Sequence, residues 1–186
     1  MFTHLECTKC ERRYEKGQRL NLCECGAPLY ARYDLEQAAR EMRPGHLSLR
    51  EPTMWRYHEV LPVDGPEGRV TLGEGFTPLL EATRLGALLD LPRILIKDEG
   101  GNPTGSFKAR GLAMAVSMAR ALGEKDVCLP SAGNAGSALA AYAAVAGLRA
   151  HVFLPRDIAH LFVLETTAYG AHVETVDGLI SDAGRV

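Results

Sequence analysis

The sequence predicts an α/β protein built on a mostly parallel sheet, and three observations carry that expectation. Short apolar runs alternate with longer segments rich in Ala, Leu and Met along the second half of the chain. The links between them are only a few residues long. Glycines stand where the longer segments must stop, at Gly123 and Gly147. Alternating strands and helices with short links are the pattern of right-handed crossovers between parallel strands.

Taken in order, Arg93-Ile-Leu-Ile-Lys97 reads as a buried strand. Residues 107–122 contain no proline and form a helix that closes at Gly123. Val127-Cys-Leu-Pro130 is a second strand, and residues 135–146 a second helix. Residues 149–154 give a third strand, 158–169 a helix and 171–176 a fourth strand. The sequence then stops at residues 177–186, inside what reads as the next helix. The sheet is therefore expected to be incomplete and the sequence to belong to a longer protein. Upstream, residues 35–70 carry Pro44, Gly45, Pro52, Pro62, Gly65, Pro66 and Gly68, a density of breakers that suits a linker or a segment draped over a neighbouring domain. The expected organisation is a small module over 1–34, a linking or wrapping segment over 35–70, and the front part of a larger domain over 71–186.

Composition excludes several classes of function. A net charge of −2 gives no clustered basic surface for nucleic acid and no polybasic segment for an anionic membrane. No apolar run approaches the length of a membrane span, and residues 1–7 lack the charged and apolar regions of a secretory signal. With 46% hydrophobic residues a buried core is available. A cytoplasmic protein is expected.

Four of the five cysteines fall in the first module, as Cys7-x-x-Cys10 and Cys23-x-Cys25-Gly26. The arrangement resembles a zinc ribbon, in which four thiolates give zinc a closed tetrahedral shell and leave no position for catalysis. The alternative is a pair of thiol pairs without metal. His4 lies nearby and reads as a surface residue. Cys128, inside an apolar strand, is expected in the core. His151 shows no acidic partner in the local sequence. Lys97, Asp98 and Glu99 read as a solvated charge cluster, or, through their closeness to the Lys108 loop, as part of a pocket.

Gly100-Gly-Asn-Pro-Thr-Gly-Ser-Phe-Lys108 is a turn dense in Gly and Pro that ends with a lysine in the first helical turn. The spacing of Gly100 and Gly105 fits a phosphate-binding loop, but Ser106 and Phe107 stand where Lys and Ser/Thr are required. What remains for the lysine is covalent chemistry. Desolvation and the positive end of a helix both disfavour the charged amine, and a neutral amine condenses with an aldehyde. A surface lysine with a bulky neighbour is the alternative. The turn Ser131-Ala-Gly-Asn-Ala-Gly136 leads straight into a helix, where backbone amides suit an anion such as a carboxylate. The same turn can also be a plain cap, with Ser131 or Asn134 satisfying amides locally.

Asn102-Pro-Thr-Gly-Ser-Phe-Lys108 resembles the lysine motif of fold-type II pyridoxal-phosphate enzymes, a group that includes threonine synthases, serine/threonine dehydratases and cysteine synthases. Ser131-Ala-Gly-Asn-Ala-Gly136 and Gly73-Glu-Gly-Phe-Thr-Pro-Leu79 resemble two further elements of that group, in the same order. The resemblance implies a three-layer, mostly parallel sheet like that of the tryptophan synthase β chain. It implies pyridoxal 5'-phosphate held by Lys108 as an internal aldimine, with the same lysine shuttling protons at the α and β carbons of a small amino-acid substrate. Phe107 would shape the wall beside it, and Asn134 would meet the ring hydroxyl of the cofactor. Ser131, Gly133 and Asn134 would hold the substrate.

With the cysteine-bearing N-terminus, the motif set is most similar to threonine synthases, which convert O-phosphohomoserine and water to threonine and phosphate. Ala109-Arg110-Gly111 after the lysine is closer to the dehydratase pattern, so a serine/threonine ammonia-lyase is the alternative. A non-catalytic fragment, a zinc-ribbon module joined to half a sheet, is the alternative of another class. Family enzymes place the cofactor-phosphate loop later in the chain and are commonly homodimers. The 186 residues alone are expected to bind the cofactor weakly and turn over little.

Overall fold

A computed structural model describes every residue from Met1 to Val186. Strands β1 (Phe2–Cys7), β2 (Arg13–Glu15) and β3 (Leu29–Tyr33) make an antiparallel sheet in the order β2-β1-β3. Helices α1 (Leu35–Glu41) and α2 (Pro44–Leu47) follow, with 3-10 turns at Met54–Val60 and Pro66–Gly68. Strands β4 (Leu79–Glu81) and β5 (Leu95–Lys97) flank α3 (Thr83–Leu88) and pair antiparallel. The remainder alternates as α4 (Lys108–Ala121), β6 (Asp126–Pro130), α5 (Asn134–Ala146), β7 (Arg149–Pro155), α6 (His160–Ala168), β8 (His172–Val176) and α7 (Ile180–Ala183). Strands β6, β7 and β8 lie parallel in that order.

The structure corrects three expectations. The apolar run at 93–97 does not enter the parallel sheet; its Leu95 and Ile96 are 40% and 47% exposed. It pairs instead with β4, from Leu79↔Lys97 to Glu81↔Leu95, and the ammonium of Lys97 is tied to the Thr77 carbonyl. Cys128 is exposed, because β6 edges the sheet and alternate residues turn away from the helices. His151 does have an acidic partner: its Nε2 lies 3.1 Å from Asp126 Oδ1, across the β6–β7 pairing.

The core forms around α5, whose residues from Gly136 to Ala143 are all buried. A helix apolar on every face has to be enclosed, and α5 packs against α4, α6 and β7. Its run of alanines lets these neighbours approach closely. At Gly136 the approach is limiting, since a Cβ there would sit 2.8 Å from Val152 Cγ1. From α4, Ala109, Ala113 and Val116 face the same core at helical spacing. Residues 35–70 contribute Met54, Trp55, Val63 and Val70 to that cluster.

Glu74 sits inside this packing with none of its surface exposed. A buried carboxylate is tolerable only when donors surround it. Here the Tyr142 hydroxyl of α5 donates to Glu74 Oε2 at 2.7 Å, the Leu72 amide at 3.0 Å and the Thr71 hydroxyl at 3.1 Å. Burial, with Glu74 as the second cause, pushes the Tyr142 phenol well above its ordinary value. Tyr142→Phe keeps the ring and removes one donor to a charged acceptor, so it should destabilise the protein by about 2 kcal/mol. A urea titration checks this: the midpoint should fall while the slope is unchanged.

Candidate functional site

Lys108 is placed by the loop before it. Two 3-10 turns, Glu99–Gly101 and Pro103–Gly105, lead into α4, and Ser106 Oγ accepts from the Lys108 amide at 3.3 Å. The loop is held by Glu99. Its Oε1 accepts from the Thr77 hydroxyl at 2.7 Å and from Arg110 Nη2 at 2.8 Å. Its Oε2 accepts from Arg110 Nε at 2.7 Å and Asn102 Nδ2 at 2.9 Å. Asn102, itself buried, accepts from the Gly75 amide at 3.0 Å. The 73–79 segment, the loop and the start of α4 are thereby clamped together. The Arg110 fork holds the Glu99 carboxyl at about 2, with the Thr77 hydrogen bond next in effect.

The opposite wall is the entry to α5. Gly133 caps that helix at φ 145°, a conformation side chains rarely adopt, and a Cβ there would meet the Phe162 ring at 3.0 Å. Ser131 is buried; its Oγ accepts from the Gly133 and Gly136 amides at 3.1 and 2.9 Å and donates to the Gly133 carbonyl at 3.0 Å. The hydroxyl thus shapes the turn from within. The amides of Asn134 and Ala135 begin the helix, where no intrahelical acceptor exists for them.

Lys108, residues 131–135, Pro130 and Ile180 line one open cavity of about 420 Å³. The Lys108 amine lies 4.7 Å from the centroid of the Phe107 ring. A second cavity of about 410 Å³ continues from Ala132 and Ile180 toward Asp157 and Ser181. The structure therefore brings together Lys108, Ser131, Gly133 and Asn134. Phe107 is 58% exposed and lies beneath Lys108, outside the lining. A pyridine-sized ring with an anionic substituent matches this donor set: an amine, an amide side chain and free backbone N–H groups. From the sequence alone Tyr142 and Ile180 had no role, and Glu74, Glu99 and Arg110 stood only as members of a motif or a charge cluster, not as the groups that hold the site together. Apart from this site, the sulfurs of Cys7, Cys10, Cys23 and Cys25 all lie within 4.8 Å of one another.

A family model described as pyridoxal-phosphate dependent enzyme matches residues 70–186. A threonine synthase of Methanocaldococcus jannaschii is 39% identical over 178 residues, spanning 95% of this chain and 44% of the relative. One of Methanosarcina acetivorans is 36% identical over 182 residues, spanning 97% and 44%. Among solved structures, maize serine racemase has a TM-score of 0.54 at 27% identity, covering 59% of this chain and 33% of that one. Diaminopropionate ammonia lyase from Escherichia coli has a TM-score of 0.57 at 23% identity, over 62% and 35%, a likeness of fold alone. The chain spans less than half the length of the curated relatives it matches.

The clamp has a pH signature. Glu99 is depressed from 4.5 to about 2 in the folded state, so it contributes stability above the unfolded value and loses it as pH falls from 4.5 toward 2. Arg110→Met removes the main cause. Denaturant midpoints across that window should show a smaller acid-side loss in the variant than in the wild type.

Proposed function

The chain belongs to the pyridoxal-phosphate dependent enzymes, and on that premise we propose that it is part of a threonine synthase-like enzyme that acts on O-phosphohomoserine, with residues 71–186 contributing to the catalytic domain. The single observation that carries this is the shared cavity: the Lys108 amine and the open start of α5 face one space. When bound, pyridoxal phosphate supplies an electron sink for charge that develops at the substrate α carbon. Lys108 would hold the cofactor through Nζ and, once free of it, carry protons between the α and β carbons of the substrate. Asn134 would orient the cofactor by hydrogen-bonding the ring hydroxyl through its side-chain amide. The amides of Asn134 and Ala135 would hold the substrate carboxylate, with Ser131 and Gly133 fixing the turn that presents them. Phe107 would lie beside the Lys108 amine, outside the cavity.

Two observations favour a second reading, an ammonia-lyase acting on serine or threonine. The Nε–Nη2 edge of Arg110 is turned to Glu99, and Ala132 and Ala135 bring no hydroxyl to the cavity. The two readings share the Lys108 chemistry and differ in the leaving group.

The complete gene product separates them. Phosphate should be released from O-phosphohomoserine with threonine formed, and Lys108→Ala should lower kcat by roughly a thousandfold or more, as when a residue central to a catalytic unit is removed. Ammonia and a keto acid from threonine, without phosphate release from O-phosphohomoserine, would replace the synthase by the lyase.

A further inference from the structure

We propose that Cys7, Cys10, Cys23 and Cys25 bind one structural zinc(II) ion in a closed thiolate shell, with Tyr14 as a positioning residue that donates a hydrogen bond to Cys23. The site is remote in role from the cavity at Lys108 and stands whether or not the synthase reading does.

The geometry comes from two tight turns. Cys7 ends β1 and Cys10 follows in the turn before β2, while Cys23 and Cys25 flank a turn before β3. In the second turn the Gly26 amide donates to the Cys23 carbonyl at 2.8 Å. Sγ of Cys7 lies 3.4 Å from that of Cys25, and Sγ of Cys10 lies 3.5 Å from that of Cys23. All four sulfurs fall within 4.8 Å of one another. A tetrahedron with zinc–sulfur bonds of about 2.3 Å has edges of about 3.8 Å, so the ion fits with sulfur shifts of about 1 Å or less.

Two of the four sulfurs, those of Cys7 and Cys23, receive hydrogen-bond donors suited to a thiolate. The Lys9 and Cys10 amides donate to Cys7 Sγ at 3.3 and 3.4 Å. The Tyr14 hydroxyl, carried on β2, donates to Cys23 Sγ at 3.1 Å and is itself oriented by the Glu24 amide at 3.3 Å. Outer donors of this kind orient ligands and tune the metal.

Burial supplies an independent argument. Within residues 1–34 the buried side chains are those of Cys7 and Cys23, and no apolar residue of that stretch is buried. Two sulfurs cannot serve as the hydrophobic core of a three-stranded sheet, and a bound ion provides the missing cohesion, its binding energy acting as folding energy. Four protein ligands leave no open position, so the ion takes no part in catalysis. The folded module is tied to the rest of the chain by Arg19–Glu124 and by Lys16–Asp64 at 3.3 Å.

Elemental analysis of the purified chain should find about one zinc per chain. Cobalt(II) in its place should give the intense visible bands of a tetrahedral thiolate site, a readout that needs no variant to fold. Removing the ion with a chelator should open residues 1–34 to protease while α4 to β8 stay protected. Tyr14→Phe should retain the stoichiometry but lose zinc affinity by about tenfold or more. Zinc well below one per chain, pairing of the four thiols as disulfides, or a metal whose loss leaves residues 1–34 protected would overturn the site. Unchanged zinc affinity in Tyr14→Phe would remove Tyr14 from it.

Discussion

The Glu99–Arg110 pair sets where the Lys108 amine can be. The loop from 99 to 107 has little apolar packing of its own, and polar contacts do what a core does elsewhere. One carboxylate gathers Thr77, Asn102 and Arg110, so three stretches of sequence become one rigid edge. That edge carries strain: Phe76 and Thr104 adopt φ values of 49° and 60°, left-handed conformations that cost about 1 kcal/mol or more each for residues with side chains. Strain of this kind persists only where the surroundings leave the chain no alternative, and the clamp supplies that restriction.

The opposite wall is fixed by different means. Small residues along α5 let β7, α4 and α6 close in on it, and Gly133 and Gly136 stand where a side chain would strike Phe162 or Val152. The Ser131 hydroxyl then holds the turn from inside. Glu74 joins the two walls, since it lies in the segment beside the clamp and accepts from Tyr142 in the middle of α5. Amine and amides are thus fixed against each other through buried hydrogen bonds, in surroundings where each such bond is strengthened and each loss is costly.

Much of this was legible in the sequence where the signal is local. Helices α4 and α5 begin and end within a residue or so of the expected bounds because glycines and the alanine run mark them. The parallel strands β6 to β8 follow from their alternation with helices. The exposed β5 was misjudged because a short apolar run looks the same on a buried strand and on the antiparallel pair that β5 makes with β4. Cys128 was misplaced for a related reason: sequence shows that a strand is apolar but not that it edges the sheet. The supporting role of Glu74 was not legible because its partner is distant, Tyr142 lying 68 residues beyond it. A lone tyrosine in an alanine-rich helix, and an acid between two glycines, were the available signals. His151 and Asp126 meet only through strand register.

The central claim is that the Lys108 amine is the group positioned to receive an aldehyde. Borohydride reduction of the complete gene product in the presence of pyridoxal phosphate, followed by peptide mass mapping, tests it most directly. The account predicts a pyridoxyl label on Lys108; a label on another lysine, or none at all, would contradict it.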